Sequence, residues 1–459
     1  MNVLLSNARN LAVLALRDRA GNVSAHLGRL LAKAALSPAD AALARELALG
    51  TCRRRATLEA VLRAYLAQPD RRLPGVLNQI LWVALYQVIF LERVPSFAAV
   101  NEAVEQAGRF RHRRQSGLVN GVLRSVARGL SEACEGDPPV APDVVPCAPR
   151  RYRKLDRPVF ADPSAQPVKY LAAAHSLPEA LLERWLRRFG TLEATIRIAS
   201  HANARPPLIL RVNTSCDSVD GVISELSSAG VGARPHANGL SIVLDTPCDV
   251  TGLAPFQRGV VQPQDPSATA VVMAAGAKPG MCVLDFCAAP GTKTTHLAER
   301  MDNRGSIVAL DVSAEKLDRI EANCRRMGAA IVTTRLAGSA GQLEMQSFDL
   351  VVADVPCSNT GVLARRAEAR WRFSGEAISS LVRDQKFLVR AAAQFVRPGG
   401  RMVYSTCSIE PEENEQVAKW LAKTDPRMQL THQEPALPAG GSNPSEWRDG
   451  GYVAIFEAR

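Results

Sequence analysis

Two cysteines in this chain each follow a hydrophobic, strand-like run. Asp354-Val355-Pro356-Cys357-Ser358 comes after FDLVVA, and Ser405-Thr406-Cys407-Ser408 comes after RMVY. Taken singly, a cysteine that ends a strand is most often a small core residue. Two at one edge of the same sheet point to a chemistry, because C5 of a pyrimidine is not nucleophilic until something adds to C6, and a thiolate can add there. The adduct is an enamine whose C5 attacks a sulfonium methyl group, after which a base removes the C5 proton and the thiolate leaves. The residues do not say which cysteine attacks.

A methyl donor needs its own site, and MCVLDFCAAPGTKTTHLAE, Met281–Glu299, has the pattern for one. Val283–Phe286 reads as a buried strand, Ala288-Ala289-Pro290-Gly291 as a tight turn of small residues, and Thr292 as the start of a helix. Small residues admit a ligand close to the backbone, and a helix start offers unpaired N–H groups. Asp311, twenty residues past Gly291, ends the next predicted strand, where a carboxylate can accept from both ribose hydroxyls; a purely structural aspartate is the alternative. The turn is not G-x-G-x-x-G. That weighs against a dinucleotide and favours a smaller nucleoside cofactor, S-adenosylmethionine.

The elements that must position these groups alternate in type. Ile307–Asp311, Ala314–Met327, Ile331–Arg335, Phe348–Asp354, Ile378–Val396, Arg401–Thr406, Glu413–Ala422 and Tyr452–Glu457 read in turn as strands and helices, the pattern of a doubly wound sheet with ligands at its carboxyl edge. Residues 255–459 form this Rossmann-like domain. Upstream, residues 1–135 read as all-α, with Gly50 and Gly129 as helix stops and Ile80–Leu91 as a buried helix too short to span a bilayer. Residues 136–168 hold eight prolines and no periodicity, which predicts an extended linker. In 169–254, an amphipathic helix with Leu181, Leu182, Trp185, Leu186 and Phe189 on one face precedes a β-α-β pattern, a small α+β module.

At 459 residues the chain is expected to hold two or three domains, and its net charge is +11. The first 135 residues carry 19 lysines and arginines against 10 acids. Arg53–Arg55, Arg71-Arg72 and Arg109–Arg114 are the bursts, readable as solvated faces or as an RNA grip. The ten cysteines include no C-x-x-C and the seven histidines no ligand-spaced cluster, so no metal site or disulfide framework is expected and a reducing cytoplasm fits. No signal peptide or membrane span is read.

DFCAAPGTKT, ALDVSAEKLDRI, FDLVVADVPCSNTGVLARR with ARWR, and VYSTCSIEPEENE resemble, in order and spacing, the signature blocks of the RNA (cytosine-5) methyltransferase family that includes the nucleolar and bacterial Sun-type enzymes. VPSFAAVNEAVEQA and GLVNGVLRSV resemble the NusB-type RNA-binding helical domain, and HSLPEALLERW with LILRVN the family's middle module, so the likeness covers nearly the whole chain. The resemblance implies S-adenosylmethionine as cofactor, held by Cys287, Ala288, Ala289, Pro290, Gly291, Thr292 and Lys293, with Asp311 on the ribose and Asp354 near cofactor and base. It implies Cys407 as the attacking thiolate and Cys357 as the group that assists product release. Lys293 either reaches the base or is a solvated lysine at a helix start. The implied substrate is a cytosine of small-subunit ribosomal RNA and the implied state a monomer. Two departures stand out: Thr292 replaces a second glycine, and RLAGSAG, with Gly338 and Ser339, lacks the acid expected at the adenine. That loss motivates a rival reading as a non-catalytic RNA-binding assembly factor; other RNAs, or DNA, are the alternative substrates.

Overall fold

The structure, a computed structural model, describes residues 2–18 and 22–459. The chain divides into two compact units, residues 1–205 with 363–374 and residues 206–362 with 375–459. Among the described residues no helix is long and apolar enough to cross a membrane.

The first unit is built on helices Ala8–Ala15, Val23–Leu31, Pro38–Tyr65, Gly75–Phe90, Ser96–Arg109 and Ser116–Gly129. Ser37 starts the longest: its hydroxyl accepts from the Asp40 N–H at 3.1 Å, and Pro38 occupies the first helical position. Gly50 does not stop this helix. It lies mid-helix, where a Cβ would sit 2.1 Å from the Tyr86 ring, so glycine is required by the close crossing of Gly75–Phe90. That second helix is the predicted core segment, with Ile80, Leu81, Val83 and Leu85 fully buried.

Two expectations for this unit are corrected. The Arg53–Arg55 burst is no solvated face: the Arg54 guanidinium donates to the Pro146 and Cys147 carbonyls at 3.0 and 2.7 Å, Arg53 donates to the Ala364 carbonyl at 2.9 Å, and Arg55 lies 4.0 Å over the Trp371 ring. Burial lowers the pKa of all three, that of Arg54 to about 10. Nor is 136–168 simply an extended linker. After β1 (Cys134–Glu135), β2 (Val144–Ala148) and β3 (Arg151–Lys154) form an antiparallel hairpin in the order β1-β3-β2, with Val144, Val145, Leu155 and Phe160 buried. Pro146 sits inside β2, and Arg54 supplies donors to its carbonyl and the next. Helices Pro167–Ala174, Glu179–Phe189 and Leu192–Asn203 complete the unit.

The second unit opens with a four-stranded antiparallel sheet of β4 (Ile209–Val212), β5 (Ala233–Pro235), β6 (Ser241–Leu244) and β7 (Val261–Pro263) in the order β5-β6-β4-β7, covered by helix Val219–Ser228. The main sheet follows: β8 (Cys282–Asp285), β9 (Ser306–Asp311), β10 (Val332–Leu336), β11 (Phe348–Asp354), β12 (Val396–Thr406), β13 (Met428–Ala436) and β14 (Gly451–Ala458), ordered β10-β9-β8-β11-β12-β14-β13. The first five run parallel; β14 is antiparallel to β12, and β13 to β14. Leu284, Val351, Ala353, Met402 and Tyr404 face one buried layer, and Val283, Ile307, Leu350, Val352 and Val403 the other. Chain order reverses between β8 and β11. In such sheets that reversal opens a crevice at the carboxyl ends of the strands.

Candidate active site

The predicted turn hangs between the strands beside it. Phe286 N–H donates to the Val352 carbonyl at 2.8 Å and Ala288 N–H to the Leu310 carbonyl at 2.9 Å. The Ala289–Pro290 peptide is cis and Gly291 adopts φ +92°. A Cβ there would also meet Ile320 Cα at 3.1 Å. Helix Thr292–Arg300 starts without a side-chain cap, which leaves its first N–H groups open. Cys287 is half-buried and packs against the core layer that holds Leu284 and Val351, and burial, with Asp285 next, pushes its thiol up to about 12.

Three carboxylates meet here. Asp285 is buried; Thr294 donates to its Oδ2 at 2.7 Å, while its Oδ1 has no partner among the described residues. Burial, with Asp354 adding to it, raises its pKa to about 7 against the opposing Thr294 hydrogen bond. Asp311 ends β9. Its Oδ2 accepts from Ala289 N–H at 3.0 Å, and its Oδ1 from Val312 N–H at 2.7 Å and from Lys316 Nζ at 2.9 Å. Asp354 ends β11, with Oδ2 on Lys293 Nζ at 2.6 Å and Oδ1 on the Ser405 hydroxyl at 2.7 Å. Burial acts to lower the Lys293 pKa, but Asp354 outweighs it and the net shift is upward.

The two cysteines are brought together. Cys357 and Cys407 are free thiols with sulphur atoms 3.0 Å apart. Cys407 Sγ donates to Asn359 Oδ1 at 3.3 Å, and Asn359, at φ +64°, donates its amide to the Cys357 carbonyl at 2.8 Å. The hydrogen bond with Cys407, then burial, push the Cys357 thiol well above its ordinary value. A cavity of about 500 Å³ is lined by Lys293, Asp354, Thr406, Cys407, Val271 and Tyr452 among others. Cys357, Asp311, Cys287 and the Ala288–Gly291 turn are not part of that lining, so of the two thiols Cys407 is the one that faces the cavity.

Gly338 lies in a 3-10 turn, Ala337–Gln342, and the Ser339 hydroxyl donates back to the Leu336 carbonyl at 2.7 Å. Where an acid was expected, the strand ends present Val312 and Leu336, both exposed, with Leu336 in register with Asp311. Sequence reasoning missed Glu413 altogether. Its buried carboxylate accepts from Ser358 N–H at 2.8 Å, Gln385 Nε2 at 2.9 Å, the Ser408 hydroxyl at 2.5 Å and the Ser358 hydroxyl. Its place in EPEENE, directly after the Thr-Cys block, was the available signal.

Residues 270–444 match a family model described as 16S rRNA methyltransferase RsmB/F, residues 6–128 the NusB family, and residues 177–251 a Methyltr_RsmF/B-like, ferredoxin-like domain. Over 427 residues the chain is 31% identical to Ribosomal RNA small subunit methyltransferase B of Vibrio cholerae, covering 92% of this chain and 90% of the relative. It is 32% identical over 385 residues to Probable ribosomal RNA small subunit methyltransferase B of Bacillus subtilis, covering 83% and 80%. The crystal structure of PH0851 matches with a TM-score of 0.74 over 98% of each chain, a likeness of fold at 23% identity.

Proposed function

Because this chain belongs to the 16S rRNA methyltransferase RsmB/F family, we propose that it methylates C5 of a cytosine in small-subunit ribosomal RNA through a covalent Cys407–C6 adduct. Membership makes it an S-adenosylmethionine-dependent methyltransferase of ribosomal RNA. The finer reading is supported above all by the two free sulphurs 3.0 Å apart, with Cys407 lining the same cavity as Lys293 and Asp354.

The turn fits the cofactor: Gly291 leaves room where a Cβ would crowd Ile320, the helix start has no side-chain cap, and Asp285 Oδ1 is a buried polar atom without a partner among the described residues. When bound, S-adenosylmethionine supplies an electrophilic methyl group. Cys287 through Lys293, Asp311 and Asp354 would hold it. The Cys407 thiolate adds to C6 of the cytosine, which makes C5 nucleophilic, and a base later takes the C5 proton as the C6–S bond breaks. Asp354, aligned by Lys293 and Ser405, holds the cytosine amino edge as charge moves into the ring. Cys357, kept protonated by its surroundings, assists release of the methylated product. Residues 1–135 and 169–254, on either side of 136–168, grip the RNA, and residues 255–459 carry the chemistry.

The test is covalent trapping. Small-subunit ribosomal RNA containing 5-fluorocytosine, incubated with protein and cofactor, should give a band of slow mobility on a denaturing gel, and matched DNA should give none. Cys407→Ala should show neither the band nor methyl transfer. Retained turnover in that variant would overturn the assignment of the nucleophile.

A further inference from the structure

Glu413 is fully buried, yet no cation is among its hydrogen-bond partners; they are one backbone N–H, one side-chain amide and two hydroxyls. The backbone N–H and the two hydroxyls fall on two loops. Ser358 is the residue after Cys357, and Ser408 the residue after Cys407. Gln385, from helix Gly375–Ala393, donates both to Glu413 and, at 3.0 Å, to the Pro356 carbonyl, which extends the grip to the residue before Cys357. The next residue, Asn414, closes the other side: its amide donates to the Ser408 carbonyl at 2.9 Å and its oxygen accepts from the Thr406 hydroxyl at 2.6 Å, bracketing Cys407. Thr360 ties the same loops by pairing its hydroxyl with Ser408 at 3.1 Å and accepting from Ile409 N–H at 3.0 Å.

A buried carboxylate that loses such donors is costly to keep, and neutral donors that lose their acceptor are costly too, so this network has one low-energy arrangement. We infer that Glu413 is a positioning residue that fixes the spacing between the Cys357 and Cys407 loops, so that both thiols face one pyrimidine. The inference rests on the proposed two-thiol chemistry for its purpose, but the spacing it asserts is measurable without any methyl transfer. Catalysis at a ring held between two groups is sensitive to such spacing: a misplacement near 1 Å can cost about 10²-fold in rate. The Glu413 carboxylate also helps keep the neighbouring Cys357 thiol protonated.

The experiment uses the full chain and two readouts. The first is methyl transfer with kcat and KM for S-adenosylmethionine separated. The second is bridging of Cys357 and Cys407 by diamide, in which the two thiols give up two hydrogen atoms, one S–S bond forms and the azo bond is reduced to a hydrazine; it is followed by thiol titration and peptide mapping. Glu413→Ala should lower kcat about 10²-fold with cofactor KM unchanged, and should slow bridging in parallel. Glu413→Gln should recover most of both, since its oxygen can accept from Ser358 N–H and Gln385 while its amide donates to the serine hydroxyls. Should Glu413→Ala not fold, Ser358→Ala removes a single hydroxyl and carries the same bridging readout. Wild-type kcat and bridging in Glu413→Ala would overturn the inference, as would its loss of cofactor binding together with both activities, which marks a general folding role. Bridging that depends on Glu413 in a protein that forms no adduct with 5-fluorocytosine RNA would leave the positioning intact and sink the proposed chemistry instead.

Discussion

The sulphur atoms of Cys357 and Cys407 stand 3.0 Å apart, farther than the disulfide length of about 2.05 Å, and only Cys407 lines the cavity with Lys293 and Asp354. The two thiols therefore differ in access and in environment. Cys357 is the more buried and is held protonated, which suits a group that acts after the attack. Cys357→Ala is expected to form the adduct with normal RNA and fail to release it, giving a slow band on a denaturing gel without any fluorinated base. If that variant turns over at the wild-type rate and no band accumulates, Cys357 is a packing residue.

Asp311 is already heavily engaged. A carboxylate offers about four lone-pair positions, and Val312 N–H, Lys316 Nζ and Ala289 N–H occupy three. Two ribose hydroxyls need two, so Lys316, whose side chain is 47% exposed, must swing away when the cofactor binds. Lys316→Met should thus bind S-adenosylmethionine at least as tightly as wild type in calorimetry. Asp311→Asn should bind it roughly 10-fold to 10²-fold more weakly, the loss expected for one charged hydrogen bond. A tenfold loss in Lys316→Met would make that lysine part of the cofactor site.

Asp285 gives the protein a pH dependence with a defined sign. Its folded pKa, about 7, lies above its ordinary value of 3.8 because the carboxyl is buried. Between those values the unfolded chain has lost the proton and the folded chain has kept it, so stability falls as pH rises from about 4 to about 7 and then levels off. The difference corresponds to roughly 4 kcal/mol against the charged form. Asp285→Asn still accepts from Thr294, and its melting temperature relative to wild type should rise across that window. A difference that stays flat from pH 4 to 8 would show that Asp285 does not titrate there.

The parts of the site that lie at a strand end or in the turn after it were legible in the sequence. A buried strand, four small residues and a helix start gave the turn at Ala288–Gly291, and strand ends gave Asp311, Asp354 and both cysteines, because a parallel sheet gathers its carboxyl edges in one place. Glu413 was not legible in this way, since its partners Gln385 and Ser358 are 28 and 55 residues distant and only the folded loops bring them together. Gly50 and Arg54 misled for a related reason. A glycine demanded by a neighbouring ring and an arginine demanded by buried carbonyls look, in one dimension, like a helix stop and a solvated charge. The hairpin of β2 and β3 was hidden by prolines, and the Pro146 carbonyl inside it takes its donor from Arg54, 92 residues away in the sequence.

Arg370, the first arginine of ARWR, makes a final prediction about the first unit. Residues 363–374 belong to that unit although the sequence on both sides belongs to the second. The Arg370 guanidinium is fully buried, and it donates to the carbonyls of Ala367 at 2.9 Å, Arg53 at 2.9 Å, Ser176 at 3.1 Å, Ala202 at 2.8 Å and Leu363 at 3.3 Å, and to Asn203 Oδ1 at 2.8 Å. Burial lowers its pKa to about 9, and it is still charged at neutral pH. Without it, carbonyls from four separate segments lose their donor, at about 1–3 kcal/mol for each buried acceptor left unsatisfied. Arg370→Met should therefore lower the melting temperature and open the 363–374 segment to trypsin at Arg365 and Arg366. Arg370→Lys, with three donors where arginine has five, should fall between. Wild-type melting and wild-type protease resistance in Arg370→Met would mean that the segment is held by the Trp371 contacts, its indole N–H on the Cys52 carbonyl at 2.8 Å and its ring under Arg55, and not by the guanidinium.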